Sequence, residues 1–222
     1  MASLNAFVRD NIVHKLGMYN QFLLMKEFIH LKRRLRFYQR FIKPGSMVFD
    51  IGANIGNRTS IFSRLGANVV AVEPQAKVFS YLKRRFKNDP RVILVQAALG
   101  DSETWTEIRV SRSHVFSSIS HEWIDIVKNG RLRDVRYAGS EKVRMTTLDK
   151  LIDTYGVPSF CKIDVEGYEL NVIKGLHTQI ESLSFEFTRE MKQNTIRAIE
   201  YLDLLSKYRY NISFADSMRF EL

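Results

Sequence analysis

Apolar residues along this chain recur in two periods, and the change between them lays out the elements. Leu24, Phe28, Leu31, Leu35, Tyr38 and Ile42 are spaced by fours and threes, which puts them on one face of a helix. Pro44-Gly45 ends that pattern. Beyond it, short apolar runs alternate with helix-compatible stretches. Strands are expected over 48–51, 68–72, 91–99, 160–163, 182–187 and 211–215, and helices over 57–65, 76–87, 168–175 and 195–208. Residues 105–111 alternate as an extra strand, and 143–152 pass from strand into helix with Thr147 as the N-cap. Strand–helix alternation predicts an α/β fold with a doubly wound, mostly parallel sheet and helices on both faces. The chain divides into an N-terminal basic amphipathic helical extension, 1–43, and one domain over 44–222. Residues 112–142 show no clear period. They read as a segment that covers a substrate, or as a loose insertion.

Composition narrows the classes. With 222 residues, 45% hydrophobic and 26% charged, the chain can bury a large core and is not of disordered type. The single cysteine, Cys161, excludes a disulfide framework and a cysteine-based zinc site, and the period of two puts it in the core. Cysteine usage fits a cytoplasmic location, and no apolar run is long enough to cross a membrane. The net charge of +10 leaves an anionic partner open: nucleic acid, a membrane surface or an acidic glycan. The basic side of the N-terminal stripe is either solvated or a lid, a homodimer contact or an arm for an anion.

The chemistry concentrates at Val48-Phe49-Asp50-Ile51-Gly52-Ala53-Asn54-Ile55-Gly56. An apolar run ends in an acid, and two glycines four apart precede a helix. This is a strand–turn–helix at which an α/β sheet meets a ligand. The phosphate-binding Lys-Ser/Thr ending is absent. An aspartate at the turn repels pyrophosphate and suits a cation. Glu73, before Pro74, follows Asp50 by 23 residues, near the spacing at which an acid takes ribose hydroxyls. A ribose beside positive charge describes S-adenosylmethionine. The candidate contacts are Asp50, Gly52, Asn54 and Gly56 of the loop, Glu73 and Pro74, and, near the base, Gln96, Ala97 and Asp101. For Asp101 a plain turn role is the alternative.

Several blocks together resemble the FkbM family of S-adenosylmethionine-dependent methyltransferases. They are the stretch from Phe49 to Gly56, Val72-Glu73-Pro74, Ala97-Ala98-Leu99-Gly100, Thr147-Leu148-Asp149, Lys162-Ile163-Asp164-Val165-Glu166-Gly167-Tyr168-Glu169 and Val172-Ile173-Lys174-Gly175. The resemblance implies a class I, Rossmann-like sheet of seven strands and O-methylation of a hydroxyl on a sugar- or polyketide-like small molecule or glycan. The N-terminal basic helix lies outside the shared motifs, and little chain remains for a seventh strand.

Methyl transfer needs an aligned acceptor oxygen and a group to take its proton. Asp164, at the end of the fourth sheet strand, is the first candidate base; it is also a candidate for the cofactor's ammonium group. Glu166, Lys162, His121 and His114 follow. Glu166 is alternatively a cap for the next helix. No metal site is assigned, although Asp164 and Glu186 are hard oxygen donors that would suit Mg2+. Two further readings stay open: a ribose or other nucleic-acid methyltransferase, and a binding module without activity. The Asp164-Val165-Glu166-Gly167 block lacks the Pro-Pro-aromatic pattern of base-amine methyltransferases.

Overall fold

The computed structural model describes residues 31–111, 117–129, 137–214 and 217–221. They fall into two compact units. The larger is Phe41–Tyr210; the smaller joins the chain up to Arg40 with that from Asn211 onward. In the smaller unit, residues 31–38 are helical. The Phe37 and Phe220 rings lie 5.2 Å apart, and the Arg40 guanidinium sits 5.8 Å from the Phe220 ring. The rest of the expected N-terminal helix lies outside the described residues. The strand expected over 211–215 does not form among the described residues. Asn211 Oδ1 instead accepts from the adjacent Ile212 amide and from the Glu221 amide further along the chain.

The larger unit is built on five parallel strands. β1 (Met47–Ile51), β2 (Asn68–Val72) and β3 (Val92–Val95) are joined by α1 (Asn57–Arg64) and α2 (Ala76–Arg85). β4 (Ala98–Leu99), β5 (Thr104–Ser111), α3 (His121–Asn129), β6 (Tyr137–Thr146) and α4 (Leu148–Tyr155) follow. The chain then returns through β7 (Phe160–Ile163), α5 (Glu169–Lys174), β8 (Ser182–Phe185) and α6 (Lys192–Leu205). The sheet order is β3-β2-β1-β7-β8. Connections leave β1 in one direction to β2 and return on its other side at β7, so the switch point lies at the carboxyl ends of β1 and β7.

The period of two sorts the faces. Phe49, Ile51, Cys161 and Ile163 bury into one cluster with Leu148, Leu151 and Ile152 of α4, Leu170 and Ile173 of α5, and Leu202 of α6. On the opposite face, the Phe62 ring of α1 meets Phe160 edge-on at 5.9 Å, and Thr59 of the same helix reaches Asp50. Helices therefore cover both faces, as the alternation predicts. Cys161 is fully buried, and burial pushes its thiol far up, which suits a packing role.

Three expectations are corrected. The described sheet has five strands, not seven. The run 91–99 is not one strand: the chain leaves the sheet at Gln96-Ala97, and Ala98-Leu99 pairs with β6 in a separate three-stranded sheet, β4-β6-β5. Residues 112–142 are not irregular throughout. They contain α3, started by the Ser120 side chain accepting from the Trp123 amide at 3.1 Å, and the first half of β6. That half carries Gly139, Ser140, Glu141 and Lys142, mostly solvated on an outer ribbon, so no alternation marks it.

Candidate active site

A cavity of about 150 Å³ opens at the switch point, between the ends of β1, β2 and β7 and the β5 ribbon. The space is large enough for several waters, and the polar side chains that line it set it apart from an apolar packing void. Gly52, Asn54, Glu73, Pro74 and Ala97 line one part of it; Asp164, Glu166 and Tyr168 line another.

Gly52 leaves β1 at φ +75, where its amide donates to the Val72 carbonyl at 3.0 Å. A Cβ there would overlap the carbonyl oxygen of Asp164, so only glycine lets the β1 and β7 ends close side by side. The following turn puts Asn54 at φ +50, and its amide donates to Glu73 Oε2 at 3.0 Å. Glu73 Oε1 accepts from the backbone and side-chain amides of Gln75, at 3.0 and 3.2 Å. A carboxylate offers about four acceptor positions. Three are filled from within the chain, and Oε2 keeps one. Glu73 is 3% exposed, and burial pushes its carboxyl up to about 7 against the pull of the Gln75 and Asn54 donors.

The second part of the cleft is acidic. Asp164, Glu166 and Glu186 each place a carboxylate oxygen within 4.8 Å of the others. Burial, then the neighbouring Glu186, Asp164 and Glu169 charges, push Glu166 up to about 9, with Lys162 opposing. Glu186 shifts in the same direction, through burial and then Asp164 and Glu169. The Lys162 ammonium lies 2.9 Å from Asp164 Oδ2 and 3.8 Å from Asp50 Oδ1. Glu166 stands at φ +53, a left-handed position unusual for a side chain of its size. Three carboxylates of this hardness could hold a divalent cation.

The structure separates the sequence-predicted residues. Gly52, Asn54, Glu73, Pro74, Ala97, Asp164 and Glu166 line the cleft, and Lys162 backs Asp164. Asp50 does not face the turn. It is fully buried behind it, with Oδ2 accepting from the Thr59 hydroxyl at 2.6 Å, because the strand's period of two turns it toward α1. Gly56 is also out of the cleft. A Cβ there would run into Phe86 and Leu82, so this glycine serves the packing of α1 on α2. Asp101 is exposed and lies past the cleft with its Oδ1 on the Ser102 hydroxyl; Gln96 is exposed as well. The cap role considered for Glu166 is not seen: the N-cap of α5 is Tyr168, with no side-chain cap bond, and Glu169 instead ties down the turn before the helix by accepting from the Val165 and Gly167 amides at 3.0 and 3.2 Å. The side chain of His121, and His114 entirely, lie outside the described residues.

Sequence reading missed Gln75, Ser117, Ser118 and Tyr168, all at the cleft. Gln75 carried a signal in its position directly after Glu73-Pro74, Tyr168 in the block from Lys162 to Glu169, and the two serines only in the reading of 112–142 as a segment that covers a substrate. The serines lie 42 and 48 residues along the chain from the partners they bond, Gln75 and Glu166. The Thr147-Leu148-Asp149 block is structural: Thr147 caps α4 by accepting from Lys150, and Asp149 accepts from the His177 amide.

Among solved structures, the fold is similar to the precorrin-6y C5,15-methyltransferase of Geobacter metallireducens GS-15, with a TM-score of 0.46, 12% identity, and 77% of this chain and 70% of that one covered. It is also similar to a putative rRNA-methylase of Clostridium thermocellum, at 0.43 and 12%, covering 78% of each chain. In sequence, the chain is 30% identical over 141 residues to the hexuronic acid methyltransferase AglP of Haloferax volcanii. That match covers 63% of this chain and 53% of the relative, so the chain spans about half the length of the curated relative it matches. The model of the methyltransferase FkbM domain matches residues 50–212. With the glycine turn, the acid after β2 and the Asp-Val-Glu-Gly block after β7 meeting at one cleft, the chain belongs to the FkbM methyltransferase family.

Proposed function

We propose that this protein is an S-adenosylmethionine-dependent O-methyltransferase whose acceptor is a sugar oxygen. The observation that carries the reading is Glu73: a buried acid at the switch point with a single acceptor position left on Oε2. The acceptors at the cleft fit the cofactor. Glu73 would take a ribose hydroxyl, and Asn54 Oδ1, buried without a hydrogen-bond partner at the cleft, would take another donor. Ala97, Ala98 and Leu99 form an apolar wall for the base, and Gly52 leaves room for close backbone approach. Asp50 supports the turn from behind. When bound, S-adenosylmethionine supplies an electrophilic methyl group on a sulfonium.

The chain's own residues align and deprotonate the acceptor. Asp164, 39% exposed at its side chain and facing the cleft, receives the acceptor's proton. Lys162 holds the Asp164 carboxylate in place at 2.9 Å. Glu166 keeps its own proton at neutral pH and donates a hydrogen bond to the incoming sugar. A sugar acceptor is supported by the name of the relative, a hexuronic acid methyltransferase. The nucleic-acid reading is not adopted, because the relative that matches in sequence is named for a sugar acid rather than a nucleic acid.

Isothermal titration with S-adenosylmethionine, with and without Mg2+, tests the first half. Micromolar affinity is expected, falling about 10- to 100-fold in Glu73→Ala, the range for a lost hydrogen bond to a charged group. Unchanged affinity in that variant sinks the Glu73 assignment. Transfer of labelled methyl to uronic-acid and hexose glycans tests the second half. Intact cofactor binding with no transfer to either class would overturn the sugar acceptor.

A pH dependence follows from the raised Glu73 carboxyl. Its folded value, about 7, lies above the ordinary glutamate value of 4.5, so the folded state holds the proton longer. Stability of the free protein therefore falls as pH rises from 4.5 to about 7. Ligand affinity runs the other way, because ribose hydroxyls donate to the ionised form. Affinity should be roughly tenfold weaker at pH 6 than at pH 8, with a proton released on binding. Titration in buffers of different ionisation heat reads that proton, and Glu73→Gln should remove both effects.

A further inference from the structure

Among the described residues, Ser111, Ser117, Ser118 and Ser120 are all buried, and Ser117 and Ser118 line the cleft. Ser117 and Ser118 point to opposite ends of the site. The Ser117 hydroxyl accepts from the Ser111 amide at 3.0 Å and donates to Gln75 Oε1 at 2.9 Å. That donation holds the Gln75 amide in the orientation that the acceptor-only Glu73 carboxylate requires. With Oε1 engaged by Ser117, Nε2 is turned to Glu73 Oε1; the flipped amide would set its oxygen against the carboxylate. Ser118, 1% exposed, does the corresponding work at the other end. Its hydroxyl donates to the Glu166 carbonyl at 2.6 Å and accepts from the Ser120 amide at 2.9 Å. Its backbone is locked to β5 by two bonds with Arg109, at 2.9 and 3.2 Å. Glu166 is the residue at φ +53, a conformation that costs roughly 1–2 kcal/mol and persists only when its surroundings hold it.

We propose that Ser117 and Ser118 are paired positioning residues. Through Gln75, Ser117 sets the Glu73 carboxylate that takes the cofactor ribose; through the Glu166 carbonyl, Ser118 sets the left-handed turn that presents the acceptor-side acids. Because the two serines are adjacent and Ser118 is pinned to Arg109 of β5, they tie the cofactor end of the cleft to the acceptor end. This rests on the S-adenosylmethionine reading above for the ligands, while the bonds themselves are testable without any ligand.

The experiment uses the full chain and the variants Ser117→Ala and Ser118→Ala, each checked for a cooperative melt. In the free protein, amide hydrogen exchange should quicken at Gln75-Ala76 in Ser117→Ala and at Gly167-Tyr168 in Ser118→Ala. With ligand, Ser117→Ala should weaken S-adenosylmethionine binding about tenfold, and Ser118→Ala should lower kcat about tenfold, the size of one lost hydrogen bond. Ser118→Thr, which keeps the hydroxyl, should restore the exchange protection. The proposal is overturned if both alanine variants loosen the same segment, or if neither loosens its own. Wild-type protein that binds no S-adenosylmethionine would refute the proposed function, and the exchange results would still decide the positioning roles.

Discussion

Replacing Gly52 with alanine is expected to abolish measurable S-adenosylmethionine binding and to lower the melting temperature by about 10 °C. Two costs add. A left-handed φ of +75 disfavours any Cβ by roughly 1–2 kcal/mol. The added carbon would also overlap the Asp164 carbonyl oxygen, and that atom is backbone at the end of a central strand, so no rotamer change relieves it. Together they come to roughly 3 kcal/mol, which for a chain of this length shifts the midpoint by about 6–12 °C. The functional loss is larger than the stability loss. Separating β1 from β7 moves Asn54 and Asp164 apart, and these line the two parts of the cleft. Gly56→Ala is the matched control: its Cβ would meet the Phe86 and Leu82 side chains, which can shift, and the site lies outside the cleft. Scanning calorimetry and titration of both variants check the expectation. Near-wild-type affinity in Gly52→Ala would show that the strand ends tolerate separation and that their close approach does not set the cleft.

Replacing Lys162 with methionine is expected to cost roughly 3–5 kcal/mol, the usual consequence of stranding a buried charge. Asp50 is fully buried on the same face of the sheet, with Thr59 on one oxygen and the Lys162 ammonium 3.8 Å from the other. Methionine fills the same volume and leaves the carboxylate without a counter-charge. The double variant Asp50→Asn/Lys162→Met removes both charges and should recover more than half of the loss, because a neutral amide is far cheaper to bury. Denaturant unfolding of the two single variants and the double variant completes the cycle. A Lys162→Met protein within 1 kcal/mol of wild type would mean the pair contributes nothing. Methyl transfer gives a second readout, since Lys162 also holds Asp164. Activity should stay low in the double variant even where stability returns.

What the sequence determined by itself is local in origin. The alternation of apolar runs with helical stretches sets the α/β class, because burial on two faces demands it. The strand–glycine–helix turn and Glu73 at its spacing mark the ligand end of the sheet, because those backbone and charge requirements are written within about 25 residues. The tertiary structure decided what depends on distant partners. Strand register turned Asp50 away from the cleft and toward Thr59, and helix packing gave Gly56 to Phe86 and Leu82. The outer ribbon carried Ser117 and Ser118 back across the sheet to Gln75 and Glu166, 42 and 48 residues away. A serine that donates to a remote carbonyl has no period and no neighbouring partner, so nothing in the linear pattern distinguishes it from a surface serine until the fold brings the acceptor to it.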